Sequence, residues 1–344
     1  MYNTARIAAL CLVIAGFTTA RLPAQDYALY GDLELGTVAV SDPNVIAAAS
    51  QLTLNHSLSY DWGELRARHS LTAAAFQQLP AELETALELE TAPEQELLLS
   101  GDTVLHHITQ LYIAAWPLQQ LTMRAGRHSL PWSYGYAFFP ADRLHPEHIP
   151  GETPAGFDGA SLSWHFNRDW TGHAAVRLDS STDQFRYAAQ LQGFLLGFES
   201  SLSLLYQPDS LLMPAWGASA ELLEFVIHGE GSINLDNHEY LLSSGIQRVW
   251  SADRHSLTLL TEYQYTSAED NHHVYPHIAY DYDTRYTLQT DALIAIHQNI
   301  AAVQVAGSHY PADTIELSFA AYLSVGPNTS PQFEAAKLGI KLYF

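Results

Sequence analysis

Seventeen histidines in 344 residues are the first group whose chemistry has to be weighed. Two adjacent pairs, His106-His107 and His272-His273, invite a metal reading. A zinc site needs three or four converging donors. In extended chain, neighbouring side chains point to opposite faces, so an adjacent pair diverges. No His-Glu-x-x-His run occurs, and Cys11 is the one cysteine. The sequence therefore predicts no metal site and no cofactor. Hydrolytic chemistry would need an exposed nucleophile, and no Gly-x-Ser-x-Gly elbow is present. No catalytic residue is assigned, and an enzyme is kept only as a rival class.

Five arginines follow a different logic. Arg66 and Arg68 alternate with Leu65, Ala67 and Leu71; Arg124 with Met123; Arg177 with Val176 and Leu178; Arg186 with Phe185 and Tyr187. If the alternate face meets lipid, a charge on that face costs about 2–4 kcal/mol at the midplane, so all five are expected to face water. Asp142, Glu147, Glu152 and Asp158 lie on or after the longest irregular segment. Facing the arginines across a pore, they would set up a transverse field that orients dipolar solutes.

Strands are the elements that position such groups. Ile315, Leu317, Phe319, Ala321, Leu323 and Val325 alternate with small or polar residues. Leu257, Leu259, Thr261, Tyr263 and Tyr265 oppose Ser256, Thr258, Glu262 and Gln264, and the same rhythm runs from Leu52 to Tyr60. Each segment has one oily and one wet side. After residue 24 no run approaches 18 apolar residues, so no membrane helix is expected. Seventeen strand segments run from 27–38 to 333–344, and 273–281, despite Pro276, makes an even eighteenth. The fold class expected is all-β: a transmembrane antiparallel β-barrel of about 16–18 strands. The alternating stretch from Glu82 to Glu90 is a further strand or an acidic outer loop.

Short turns at Asp61-Trp62-Gly63, Pro117-Leu118-Gln119, Asn167-Arg168-Asp169 and Ser251–Arg254 are flanked by Trp62, Trp116, Trp164, Trp170 and Trp250. These five would form one interfacial girdle. At the end of the chain, Phe344, Leu342 and Ile340 share a face with Leu338 and Ala336. A terminal Phe closing an amphipathic strand resembles the signal read by the barrel-assembly machinery.

Composition agrees. Only 15% of residues are charged, and the formal net charge is −22. Such acidity excludes a nucleic-acid partner, which would need a clustered basic surface. One cysteine excludes a disulfide scaffold. Residues 1–24 read as a signal peptide: Arg6, then an apolar run of about eleven residues, then small residues. Residues 25–344 then form a single barrel domain.

Residues 119–158 carry a resemblance. Gly126-Arg127-His128 ends a strand and leads into a segment with Trp132, Tyr134, Tyr136 and Phe138, then Phe139-Pro140-Ala141-Asp142. This resembles a motif of porin-like outer-membrane families, including alginate-export and related porin-type barrels, with His128 where Gln is usual. The resemblance implies a bacterial outer-membrane location. The aromatic segment 129–157 needs something to pack on, and in a wide barrel the lumen offers it, so it is expected to fold inward as a constriction loop. The function expected is a channel for passive diffusion of small hydrophilic solutes or ions, with outer-membrane lipids around it and the oligomeric state open. The overall acidity suggests a weak cation preference. A non-conducting structural or adhesive barrel is the alternative, and a secreted soluble β protein a third reading.

Overall fold

The computed structural model describes residues 26–40, 46–76, 95–99, 102–130, 132–142, 144, 156–179, 184–207, 211–268, 270–326 and 332–343. Residues 1–24, the Glu82–Glu90 stretch, Glu147, Glu152 and Phe344 lie outside them. The strands are β1 (Asp26–Val40), β2 (Ile46–Tyr60), β3 (Gly63–Phe76), β4 (Gln95–Leu99), β5 (Asp102–Leu118), β6 (Leu121–His128), β7 (Phe157–His165), β8 (Trp170–Asp179), β9 (Gln184–Leu195) and β10 (Phe198–Gln207). They continue with β11 (Leu211–Leu222), β12 (Phe225–Ile233), β13 (Tyr240–Ala252), β14 (His255–Thr266), β15 (Asn271–Tyr282), β16 (Tyr286–Ala295), β17 (Ile300–Ala312), β18 (Ile315–Val325) and β19 (Gln332–Tyr343).

Eighteen of these close into one antiparallel barrel, because β1 pairs with both β2 and β19. β4 is not a stave. It pairs with Asp102–His106 of β5 while β3 holds the other edge of the same residues. The sequence pattern gave no sign of this short strand. The 273–281 segment is a full stave, β15. Its Pro276 sits opposite Thr261 of β14, and on the β16 side pairing skips from Val274 to His277. A residue without an N–H is tolerated where the ladder is interrupted. One turn also differs from expectation: β5 runs to Leu118 after an irregularity near Ala115, so Gln119-Gln120 make the turn.

The turns Asp61-Trp62, Leu196-Gly197, Leu223-Glu224 and Asp253-Arg254 lie at one end with the start of β1 and the end of β19, and the longest connections lie at the other. The first is the periplasmic end of such a barrel. Alternation then sorts the side chains. Leu202, Leu204, Ile246, Ile278, Leu288 and Leu338 point outward and are exposed, a surface suited to lipid; Thr53, Ser70, Ser161, Ser201, Ser243 and Asp291 point inward and are buried. At the β1–β19 seam the inward charges match, with Lys337 Nζ 2.6 Å from Glu34 and Lys341 Nζ 3.4 Å from Asp32.

Candidate functional site

The described part of the segment after β6, residues 129–130, 132–142 and 144, lies inside the barrel. Its backbone has no strand partner, so its polar groups must be satisfied some other way. Two inward carboxylates on the β12–β14 wall take the N–H groups. Glu230 of β12 accepts from the Ser133 hydroxyl, from Tyr134 N–H, and from Gly135 N–H at 3.1 Å. Glu262 of β14 accepts from Tyr136, Ala137 and Phe138 N–H at 2.6, 2.7 and 3.1 Å. The carbonyls go to the other side. Gln190 of β9 donates to Trp132 O at 3.1 Å, and Arg177 of β8 donates to Leu144 O at 2.6 Å. The loop is thus held between an acidic wall that takes its donors and a basic-polar wall that takes its acceptors.

Small inward residues make the space. Leu130, Trp132 and Leu144 pack with Phe157, Ala175, Ala188, Leu205 and Met213, the inner faces of β7 to β11. A side chain at Gly217 would strike the Tyr134 ring within 3.0 Å, so this glycine of β11 is the seat of that ring. Burial and the neighbouring Glu199 carboxylate push the Tyr134 phenol up to about 12, which keeps it neutral. Further round, the Tyr136 ring lies 5.2 Å from His277 and 6.0 Å from Tyr275, and Phe138 lies 6.4 Å from His273. His277 and Tyr275 are themselves tied to Asp291, with Nδ1 and the phenol oxygen 2.5 and 2.7 Å from one carboxylate oxygen.

The anchor carboxylates are supported from the side. His228 Nε2 of β12 lies 3.0 Å from Glu262 Oε1, although β13 runs between their strands. The residue between them is Gly245, where any side chain would collide with both. Both side chains are nearly fully buried, so the contact is made out of water.

The sequence-predicted residues separate into groups. Arg66, Arg68, Arg124, Arg177 and Arg186 all take inward register positions, since their cross-strand partners include Ser57, Asn55, Ser161, Gly159 and Arg177 respectively. Arg66 is bonded to Glu64 of its own strand at 2.9 Å. Arg177 touches the described part of the loop. Asp142 turns onto its own loop and accepts from Leu144 N–H at 3.1 Å. Asp158 is not a lumen residue. It alternates with the inward, buried Phe157, Ser161 and Ser163, and both its oxygens bind Arg127 on the outer side of the barrel wall. The alternation of β7 was readable, but residue 158 was assigned with the loop rather than with the strand. Trp62, Trp116, Trp164 and Trp250 are exposed near the short-turn end, and Trp170 lies over Gly193 at the same end. Leu342, Ile340 and Leu338 are exposed on the outward face of β19.

Glu230 and Glu262 were missed as site residues. The signal existed: each is an acidic residue on the wet parity of a strand, and Glu230 is flanked by Gly229 and Gly231. Among the described residues no group of three or more His, Cys, Asp or Glu is arranged to hold a metal ion.

No family model matches the chain, and no curated protein matches it. Solved structures do. Wzi of Escherichia coli, described as a carbohydrate-binding β-barrel of the outer membrane involved in group 1 capsule assembly, superposes with a TM-score of 0.63 over 97% of this chain and 88% of its own, at 12% identity. OccK5 of Pseudomonas aeruginosa gives 0.60 over 93% and 99%, at 10% identity. OpdK of the same organism, solved with vanillate, gives 0.58 over 93% and 99%, at 9% identity. With eighteen staves, an inward loop and these neighbours, the chain has the fold of a porin-like bacterial outer-membrane β-barrel.

Proposed function

We propose that the protein is an outer-membrane channel through which small hydrophilic solutes or ions diffuse passively, with the 129–157 loop setting size and charge selection. The observation that carries this reading is the manner of the loop's attachment. It is bonded along the inner wall from β8 to β14 by Arg177, Gln190, Glu230 and Glu262. The barrel continues from there through β16 to β19 and round to β1, β2 and β3. Their inward faces carry Arg66, Arg68, Lys337, Lys341, Asp32 and Glu34, a hydrated and charged lining. A water path between a fixed loop and a polar wall needs no energy input.

The same reading includes a signal peptide over 1–24, recognition of the Ile340–Leu342–Phe344 face by the barrel-assembly machinery, and a periplasmic girdle of Trp62, Trp116, Trp164, Trp170 and Trp250. The net acidity supports a weak cation preference. No catalytic role is proposed. A second reading, a non-conducting barrel that binds carbohydrate, is favoured by the fit to Wzi and by the aromatic residues the loop carries into the lumen. Conductance in planar bilayers tests the choice. Stepwise insertion of open channels supports diffusion; a folded, inserted barrel that passes no current overturns it in favour of the second reading.

A further inference from the structure

Two neighbouring short turns break the pattern of the rest. The β9/β10 turn reads Phe194-Leu195-Leu196-Gly197-Phe198, and the β11/β12 turn reads Leu222-Leu223-Glu224-Phe225. The other turns at the same end are tipped by polar residues: Gln119-Gln120, Asn167-Arg168-Asp169, Asp253-Arg254, Asp283-Thr284-Arg285 and Asp313-Thr314, with Asp61 beside Trp62. Leu196 is 91% exposed and Leu223 is 83% exposed, the highest values among the large apolar side chains described.

The backbone makes these leucines harder to dismiss. Leu196 has φ 55° and Leu223 has φ 49°. Left-handed positions in tight turns favour Gly, Asn and Asp, because a bulky side chain crowds the backbone there. The other non-glycine residues with positive φ are polar: Glu224, His238, Asp253, Asp270, Asp283, Thr284 and Asn299. In these two adjacent hairpins a leucine stands against turn chemistry and points out of the protein. An outlier of this kind is a pointer to function.

We infer that both tips are immersed in the periplasmic leaflet of the membrane, so that the lipid surface wraps under the β9–β12 sector. The occupant is lipid because the patch is continuous with the lipid-facing wall. Leu195 pairs with Phe198 and Leu222 with Phe225 on the outward face, and Trp250 adjoins them. The one charge in the two tips is neutralised. Glu224 is held at 2.5 Å by Arg248, whose guanidinium lies 4.8 Å from the Phe225 ring and 4.5 Å from the Trp250 ring. A paired charge screened by two aromatic faces suits the edge of a bilayer.

The inference does not depend on whether the lumen conducts. Its test is nitroxide labelling of the full chain at Leu196→Cys and Leu223→Cys, with Thr284→Cys and Thr314→Cys as controls, each combined with Cys11→Ser. The labelled barrels are reconstituted in phosphatidylethanolamine–phosphatidylglycerol vesicles, and collision with oxygen is compared with collision with a water-soluble nickel chelate. The expected result is oxygen-dominated collision at 196 and 223 and nickel-dominated collision at 284 and 314. Nickel access at 196 and 223 equal to that at the controls overturns the inference. Low collision with both reagents also overturns it, because a protein surface or a second copy of the chain would then cover the patch. As a second measurement, Leu196→Asp with Leu223→Asp is expected to lower the yield of insertion into those vesicles while leaving detergent refolding unchanged; an unchanged insertion yield counts against lipid as the occupant.

Discussion

His228 and Glu262 approach to 3.0 Å across the width of an intervening strand, and they do so because residue 245 has no side chain. The same carboxylate holds three consecutive backbone N–H groups of the loop. One buried acid therefore joins the wall's own packing to the position of the constriction.

Replacing both anchors, Glu230→Ala with Glu262→Ala, should free the loop. Hydrogen bonds to charged groups contribute about 1.5–3 kcal/mol each, and five backbone donors lose their acceptor. Single-channel recording should show a larger mean conductance and added flicker, in a barrel that still shows heat-modifiable migration in gels. Wild-type conductance from the double variant would mean that the loop is held by its apolar contacts alone.

Gly245→Leu should act at a distance from the loop. The new side chain must displace His228 and Glu262, which lie within 3.0 Å of where its Cβ would stand. Overpacking of this kind costs about 1–3 kcal/mol. The midpoint of denaturant unfolding should fall, and proteolysis within 129–157 should speed up. Gly229→Ala is the control, since its Cβ would meet nothing closer than 3.7 Å.

Arg124 occupies an inward position opposite Ser161. Arg124→Glu changes the lumen by two charges and should move the reversal potential in a salt gradient toward greater cation selectivity. A reversal potential identical to that of the wild type would count against its place in the water path. The wild type itself is expected to show a weak cation preference, and clear anion preference would sink that reading.

Asp158→Asn should behave differently. The Arg127–Asp158 pair lies on the outer side of the wall, and Asp158 is about half exposed. Partly exposed pairs contribute about 1 kcal/mol or less, so a small loss of thermal stability is expected with unchanged ion selectivity. A selectivity shift like that of Arg124→Glu would return Asp158 to the lumen.

Much of this was readable from period-two alternation alone. It gave the staves and even β15, where Pro276 argued the other way. A strict repeat with a lipid penalty on one side leaves little freedom. The attachment of the loop was harder to read, for a physical reason. The acids expected to matter were those near it in sequence, Asp142, Glu147, Glu152 and Asp158; of the two described, Asp142 bonds Leu144 N–H and Asp158 bonds Arg127. The acids that hold it, Glu230 and Glu262, lie roughly a hundred residues away and meet it only because the barrel closes. Inward parity predicts that such a residue faces water; it does not say which backbone will cross the lumen to meet it. The short β4 was invisible because its pairing depends on an edge of β5 that β6 leaves free.

The seam between β1 and β19 joins Asp32–Val40 to Ala335–Tyr343, so the first stave finds its second neighbour only when the last one exists. The other staves meet partners close by in sequence. Until the seam forms, the chain is an open sheet with two unpaired edges, the form most exposed to pairing with the wrong chain. Asp32 and Glu34 on one edge, and Lys337 and Lys341 on the other, give those edges opposite signs. Opposite charges attract, so the same four side chains favour pairing of the first edge with the last, the most non-local contact of the sheet.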